Sequence, residues 1–504
     1  MKAMTARNSR TLLTVLGTIF VAGAIFAACG SGGSETAAPD ATTTSAPSAA
    51  TAEEASSEDA ETPADQISFA NEVQPILEAN CVSCHSGTGP GTTHLVMETA
   101  DDVAAIADFA AFRIAEGQMP PWPQTGLQEI AYQFDPTMTD AERQTVIDWA
   151  NTGAVLDVDP ATALTSTVQN FPPIDADLDL AAAEPYPGSD TLDDYRCRII
   201  DPEFVDENWV TSIETRPDET RVLHHSLIFK LPAGLRGEAD DLDGSDGAPG
   251  WTCQTVPRFS DGTLEQVAGW APGTGPVTLP EGSGLRMDAG DAFVVQWHYH
   301  FDNGPLPDNS GIGIELASDE EIAAAGGQLN EVRFPSLIGP VEIPCATFES
   351  GPLCERSAAI ERVAQEFGFE STFIPTLVNR QCGVTPEDFA HFTDGIASST
   401  CDISAPAGEV VSIWPHMHEL GTTYRLTLNP GTPEETLLID IDQWDFNWQL
   451  GYYPVEELSF ERGDVLRLEC GWDRALWPAD VESRYVVWAE GTQDEMCFTG
   501  LGLG

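Results

Sequence analysis

Histidines spaced for a β-strand are the first residues that suggest chemistry. The chain has only nine histidines, and most of them fall in His224-His225, His298-x-His300 and His416-x-His418. Side chains at i and i+2 of a strand share a face, so His416 and His418 can converge on one ion. Gln296, His298 and His300 likewise share a face. Adjacent His224 and His225 point apart on a flat strand, so both reach one ion only through local distortion or through different ring nitrogens. A single histidine is ordinarily a hydrogen-bonded core or surface residue. Three strand-borne groups point instead to metal, and imidazole suits copper in both oxidation states.

Cys81-Val82-Ser83-Cys84-His85 has the spacing for covalent attachment of a c-type haem. Its two thiols can add to the two vinyl groups, and the imidazole that follows faces the iron. The alternatives are a disulfide or half of a zinc site. Met119, in Gly117-Gln118-Met119-Pro120-Pro121-Trp122, is the favoured second axial ligand because prolines stiffen its loop. Met97 and Met138 compete for that role, and any methionine can instead fill a core. His94 has no pattern around it and reads as a loop residue.

Elements must hold these groups. Phe69, Val73, Ile76 and Leu77 keep helical spacing before the haem motif. A later helix opens on the capping box Thr139-x-x-Glu142, carries Val146, Trp149 and Ala150, and stops at Gly153. This layout of helix, haem motif, loop and closing helix resembles a small class I cytochrome c, many of which carry their axial methionine in such an MPPW loop. From about residue 170 onward, Gly and Pro turns separate short apolar alternations such as FVVQWHYHF and VLRLEC, the pattern of antiparallel β-sandwiches.

The order HH, QxHY, HxHxLG, DEMC makes most of residues 190–498 resemble the type II copper, ascorbate-dependent monooxygenases, the family of peptidylglycine α-hydroxylating and dopamine β-monooxygenases. Gln296-Trp297-His298-Tyr299 fits the second motif, His416-Met417-His418-Glu419-Leu420-Gly421 the third and Asp494-Glu495-Met496-Cys497 the fourth. The resemblance implies one copper on His224, His225 and His298 and another on His416, His418 and Met496. A thioether is soft and favours Cu(I), so the second set is expected to engage O2 and the first to store an electron. Met417 faces away from its neighbours, and His300 is left as an auxiliary ligand or a hydrogen-bonding neighbour. The resemblance also implies the disulfides Cys197–Cys253 and Cys470–Cys497. Cys345, Cys354, Cys382 and Cys401 remain, the first two placed to clip a short loop, within a stretch at about 340–400 that looks inserted relative to the animal enzymes. The peptide-amidating members hold their substrate's carboxylate with an Arg where this chain has Trp414. They carry Asn and Tyr where it has Phe498 and Gly500. A charged clamp is therefore missing, and an apolar or aromatic substrate suits these positions better.

The N-terminus addresses the chain. Lys2, Arg7 and Arg10 precede apolar residues 11–28, and Phe26-Ala27-Ala28-Cys29-Gly30 looks like a bacterial lipobox that would make Cys29 the lipidated first residue. Residues 30–65 have almost no large apolar side chains and read as a tether. An even set of eight further cysteines agrees with export. Acidic residues outnumber basic ones by 81 to 22, for a formal charge of −59. That charge excludes nucleic acid as a partner and reads as a solvated surface or an acidic docking face for a basic electron donor.

The expected fold class is thus multidomain, an all-α cytochrome c domain followed by two antiparallel, jelly-roll-like β-sandwich copper domains. The expected boundaries are signal peptide 1–28, disordered acidic linker 29–66, haem domain 67–155, linker 156–180, three-histidine sandwich 181–318, and His/His/Met sandwich 319–504. The expected function is a lipid-anchored monooxygenase, on the outer face of the cell membrane or in the periplasm. It would hydroxylate a C–H bond of a small organic substrate with O2, with electrons arriving through the haem from an ascorbate-like reductant or another redox protein. The competing reading is a haem/copper electron-transfer lipoprotein without substrate turnover.

Overall fold

The computed structural model describes residues 67–504 apart from 88–90, 92–94, 122–124, 134, 168–172, 192, 254–256, 261, 272–273, 302–303, 447 and 480. The expected signal peptide, the lipidation site Cys29, the linker, His94 and Trp122 lie outside the described residues.

Short helices come first. A helical turn Phe69–Val73, capped by the Ser68 hydroxyl, runs into α1 (Gln74–Asn80) and α2 (Val82–His85). Then come α3 (Ala100–Ala105), α4 (Ala107–Ala115) and α5 (Asp140–Asn151). Thr139 and Glu142 form the anticipated capping box, and Thr99 with Asp102 forms another. Such a cap stabilises a helix by about 1 kcal/mol. Phe69, Leu77, Val146 and Trp149 meet in a small core, with the Phe69 and Trp149 rings 5.4 Å apart.

Two pairs of sheets follow. The first pair is built from β1 (Leu178–Ala181), β2 (Asp193–Ile200), β3 (Asn208–Arg216), β4 (Leu223–Leu231), β5 (Trp251–Thr252), β6 (Glu265–Trp270), β7 (Ser283–Met287), β8 (Ala292–His300) and β9 (Gly311–Leu316). One sheet runs β1-β9-β3-β7 and the other β5-β2-β8-β4-β6. They close on a core of Val210, Ile228, Leu285, Phe293, Val295 and Ile312. Helix α6 (Arg236–Leu242) covers the outer face of the second sheet, so β8 is buried along nearly its whole length.

Helix α7 (Asp319–Ala324) leads into the second pair. Its strands are β10 (Ser336–Ile338), β11 (Ile396–Ser404), β12 (Gly408–His416), β13 (Gly421–Leu428), β14 (Thr436–Ile441), β15 (Val465–Asp473) and β16 (Phe498–Leu503). Sheets β10-β16-β12 and β11-β15-β13-β14 enclose Ile413, Leu426, Ile439, Leu468 and Leu501. The stretch read as an insertion supplies α8 (Arg356–Phe367) and α9 (Phe373–Gln381).

The expectation of an all-α cytochrome c domain is corrected. The fold is mostly β, and the described residues belong to one compact unit in which the helices at 69–151 do not stand alone. Residues 125–133 leave the helices and cover the edge strand β14. Thr125 and Glu129 donate backbone hydrogen bonds to Asp440 and Leu437, at 2.8 and 2.9 Å. Tyr132 is buried in the second sandwich's core, its hydroxyl donating to the Leu438 carbonyl at 2.8 Å. The physical reason is that β14 has an unpaired edge, and an edge strand needs cover. Beyond the expected boundary at 155, Leu164 packs on the helical core and its amide donates to the Glu98 carbonyl.

Four disulfides staple the fold. Cys197–Cys253 and Cys470–Cys497 are the pairs the resemblance implied, Cys345–Cys354 clips a short loop, and Cys382–Cys401 ties α9 to β11.

Replacing Tyr132 with Ala should lower stability by about 3 kcal/mol, the usual cost of deleting a buried aromatic side chain. Denaturant titration followed by both helical and tryptophan signals should show the two moving together. Loss of the helical signal alone would mean that the helices fold independently.

Candidate metal centres

The first centre rests on an irregularity in the β4–β8 pairing. His298 faces His225 and Tyr299 faces Leu223, so His224 has no partner of its own and forms a bulge. A bulge re-aims a side chain, and this one removes the problem of adjacent imidazoles pointing apart. The Nδ1 atoms of His224 and His225 lie 3.1 Å apart, and those of His225 and His298 3.3 Å. One ligand atom from each residue fits within a 4.8 Å group. Nitrogens bound ~2.0 Å from one ion stand roughly 3 Å from one another, so this arrangement suits a single ion.

Strand β2 holds the third imidazole from behind. Its Tyr195 lies opposite His298 in the register, and the two rings stack at 4.1 Å and 6°. Asp193 lies opposite His300, and one of its carboxylate oxygens meets His298 Nε2 at 3.0 Å and His300 Nδ1 at 2.8 Å. Burial pushes the Asp193 carboxyl up, but these two hydrogen bonds outweigh it and hold the group below its usual range. His300 is therefore tied to the carboxylate rather than gathered with the other three.

The second group occupies a corner where β12 ends and β16 begins, with His416 opposite Phe498. The His416 and His418 rings are 5.0 Å apart and nearly perpendicular. His416 Nδ1 is bonded to the Gln449 side-chain oxygen and His418 Nδ1 to the Asp494 carbonyl, at 3.2 Å. Both bonds engage Nδ1, which leaves the Nε2 atoms as the donors to a metal. Met496 is buried in the same corner. Its amide and that of His418 donate to one Glu495 oxygen, at 3.2 and 3.0 Å. Leu420 and the Trp472 indole complete the cradle around that carboxylate. Burial pushes the Glu495 carboxyl up to about 8, and the four N–H donors pull the other way.

The two groups are neighbours. The Phe446 ring stacks on His224 at 5.4 Å and meets His418 edge-on at 6.3 Å. Tyr195 reaches across to Thr492, with the two oxygens 3.3 Å apart. A cleft between the sandwiches is lined by Ala268, Phe334, Ser412, Trp414, Gly500 and Leu501, with no ionisable side chain on its walls.

The haem-motif residues sit at the α1–α2 junction. Cys81 and Cys84 form no disulfide. His85 Nδ1 lies 3.1 Å from the Leu95 carbonyl, and a side chain at Gly91 would strike the His85 ring. Met119 is partly exposed and packs on the same core as Cys81, whereas Met97 and Met138 are core residues. Asp193, Tyr195, Phe446 and Gln449 carry no sequence signal, because each lies far along the chain from the histidine it touches.

Burial dominates the imidazoles. It lowers His224 and His418 to about 3 and His416 to about 4, and it holds His225 well below its usual value. His298 is also lowered, with Asp193 opposing the effect. These rings are therefore neutral, as metal ligands must be. At these imidazoles, between the ordinary value of 6.5 and the folded values, only the unfolded chain binds protons, so their contribution to the stability of metal-free protein is lost as pH falls through that window. Thermal unfolding of metal-free protein from pH 7 to pH 4 should show a falling midpoint. In Glu495→Gln one side-chain oxygen becomes an NH2 facing N–H donors. That should cost about 1–3 kcal/mol, measured by denaturant titration at pH 9, where the Glu495 carboxyl is ionised.

No family model and no curated protein matches this chain. Among solved structures it is similar to PNGF-II, at 8% identity over 65% of this chain and 65% of that one, with a TM-score of 0.24. The chain thus spans less than two thirds of that protein's length. It is also similar to procruciferin, the 11S globulin of Brassica napus, at 9% identity over 67% and 86% of the two chains (TM-score 0.13). A variant of Bacillus subtilis oxalate decarboxylase follows, at 7% identity over 64% and 82% (TM-score 0.08). Likenesses this slight carry no inference about fold or function.

Proposed function

We propose that this chain is a copper-dependent monooxygenase that hydroxylates a C–H bond of a small uncharged organic molecule. The observation that carries the reading is the meeting of three imidazole Nδ1 atoms at the bulged strand. Buried neutral nitrogens about 3 Å apart suit an ion at ordinary metal–nitrogen distances of ~2.0 Å. His224, His225 and His298 would hold one copper, and His416, His418 and Met496 the other. Imidazole accommodates both copper oxidation states, and the thioether favours the reduced one. When bound, the two ions supply one electron each. The overall reaction converts C–H to C–OH, sends the second oxygen atom out as water, and consumes two electrons and two protons.

The chain's own groups would handle substrate and solvent. Trp414, two residues before His416 on the same strand face, lines the cleft with Phe334 and Leu501. Such walls favour an apolar molecule and give a carboxylate no partner, because burying an unpaired charge is costly. The Phe446 ring packs against one imidazole of each group and would narrow the space open to water there.

Electron entry through a covalent haem at Cys81 and Cys84 is part of the proposal. Cys81 and Cys84, which form no disulfide, and the His85–Leu95 hydrogen bond, which engages Nδ1 and would leave Nε2 for an iron, fit such a group. Met119 would be the second axial ligand. The lipobox at Cys29 supports a lipoprotein on the outer face of the membrane or in the periplasm, reduced by a small reductant or another redox protein.

Metal and haem analysis of purified protein should give two coppers and one haem per chain. With ¹⁸O₂ and a panel of apolar substrates, label should enter an organic product. Copper-loaded protein that incorporates no label across the panel would instead be an electron carrier. Trp414→Arg should lower kcat/KM for an apolar substrate by about 10–100-fold, the discrimination an apolar pocket can exert. Steady-state kinetics would check this, with copper content confirmed unchanged.

A further inference from the structure

The two imidazole groups differ in what stands behind them. In the first, His298 Nε2 and His300 Nδ1 share a single Asp193 oxygen, at 3.0 and 2.8 Å. The bond fixes the proton of His298 on Nε2 and directs the Nδ1 lone pair towards His224 and His225. Strand pairing places Asp193 opposite His300, and Tyr195 stacked on His298 prevents the ring from turning away. In the second group both outer partners are neutral: the Gln449 amide oxygen behind His416 and the Asp494 carbonyl behind His418. The Asp494 carboxylate is itself committed to Arg362 and Arg484.

We propose that Asp193 is a positioning residue that lowers the reduction potential of the first copper below that of the second. A carboxylate hydrogen-bonded to a ligating imidazole makes that ring more basic. The added negative charge stabilises Cu(II) more than Cu(I), so the first site gives up its electron readily. Neutral partners and a thioether do the reverse at the second site. The transfer balances without a further reagent, since Cu(I) in the first set becomes Cu(II) as Cu(II) in the second becomes Cu(I). The Phe446 ring packs against His224 of the first group and His418 of the second. This inference rests on reading both sets as copper sites.

The test is an EPR-monitored redox titration of the full-length copper-loaded protein, with each site's copper content measured separately. In the unaltered protein the first site should have the lower potential. Asp193→Asn keeps an acceptor oxygen for His298 but removes the charge. It should raise the first site's potential, leave the second unchanged, and weaken Cu(II) binding at the first site by about 10–100-fold. Asp193→Glu should restore part of the difference. A purely structural role would predict no site-specific shift in potential. Equal potentials, or a higher potential at the first site, would overturn the proposal without any variant. So would an Asp193→Asn protein that binds both coppers with both potentials unchanged. Failure of either set to bind copper would overturn the monooxygenase reading as well. Potentials in the stated order in a protein that hydroxylates nothing would sink that reading alone.

Discussion

The first candidate site depends on one slipped register. Were β4 and β8 paired without a bulge, His224 and His225 would project from opposite faces of a sheet, one into the core and one out of it. The slip between His298 and Tyr299 gives His224 a place outside the ladder, and three ring nitrogens converge. A bulge leaves backbone groups unpaired and weakens the ladder locally. It persists here because β8 is clamped on both sides, by β2 over eight residue pairs and by β4 up to the slip itself. The Cys197–Cys253 disulfide further ties β2 to the segment after β5.

The second site is held by one buried carboxyl group that gathers donors from three parts of the chain. Glu495 has no exposed surface and gathers the amides of His418, Leu420 and Met496 with the Trp472 indole. The inserted stretch reinforces the same corner, since Arg362 on α8 pairs with Asp494, whose carbonyl bonds His418. Arg356 and Asn379, on α8 and α9, hold the fully buried Glu342 nearby. These helices therefore brace a ligand-bearing loop. On the opposite flank, residues 125–133 seal the β14 edge and tie the haem-motif helices to the same sandwich.

What the sequence revealed follows from how local each signal is. His416-x-His418 and Gln296-x-His298 were legible because a strand's two-residue period is written in adjacent positions. The capping box at Thr139 was legible for the same reason. The distortion at His224-His225 could be demanded but not located, since a bulge is a property of a pair of strands. Asp193 could not be found at all. It meets His298 across 105 positions, and its neighbours in the sequence give no hint of that meeting. The attachment of 125–133 to β14 was missed because the helical pattern around it is complete in itself. Reading that pattern as a separate domain overlooked an edge elsewhere that needed cover.

Burial of neutral imidazoles explains why these parts belong together. Apart from His298, which Asp193 partners, a ring held far below its ordinary protonation range has lost water without gaining a charge partner, so each group stores a cost that the metal-free fold must carry. The three Nδ1 atoms around His225 are acceptors crowded against acceptors wherever a proton is missing, and no set of tautomers satisfies all the contacts within the trio. An ion at their centre would replace that mutual opposition with three bonds, and folding would then gain from binding. The disulfides, the Glu495 cradle and the arginine braces keep the groups assembled against this internal opposition. The cost of the empty arrangement and the fit of an occupied one are thus the same geometric fact.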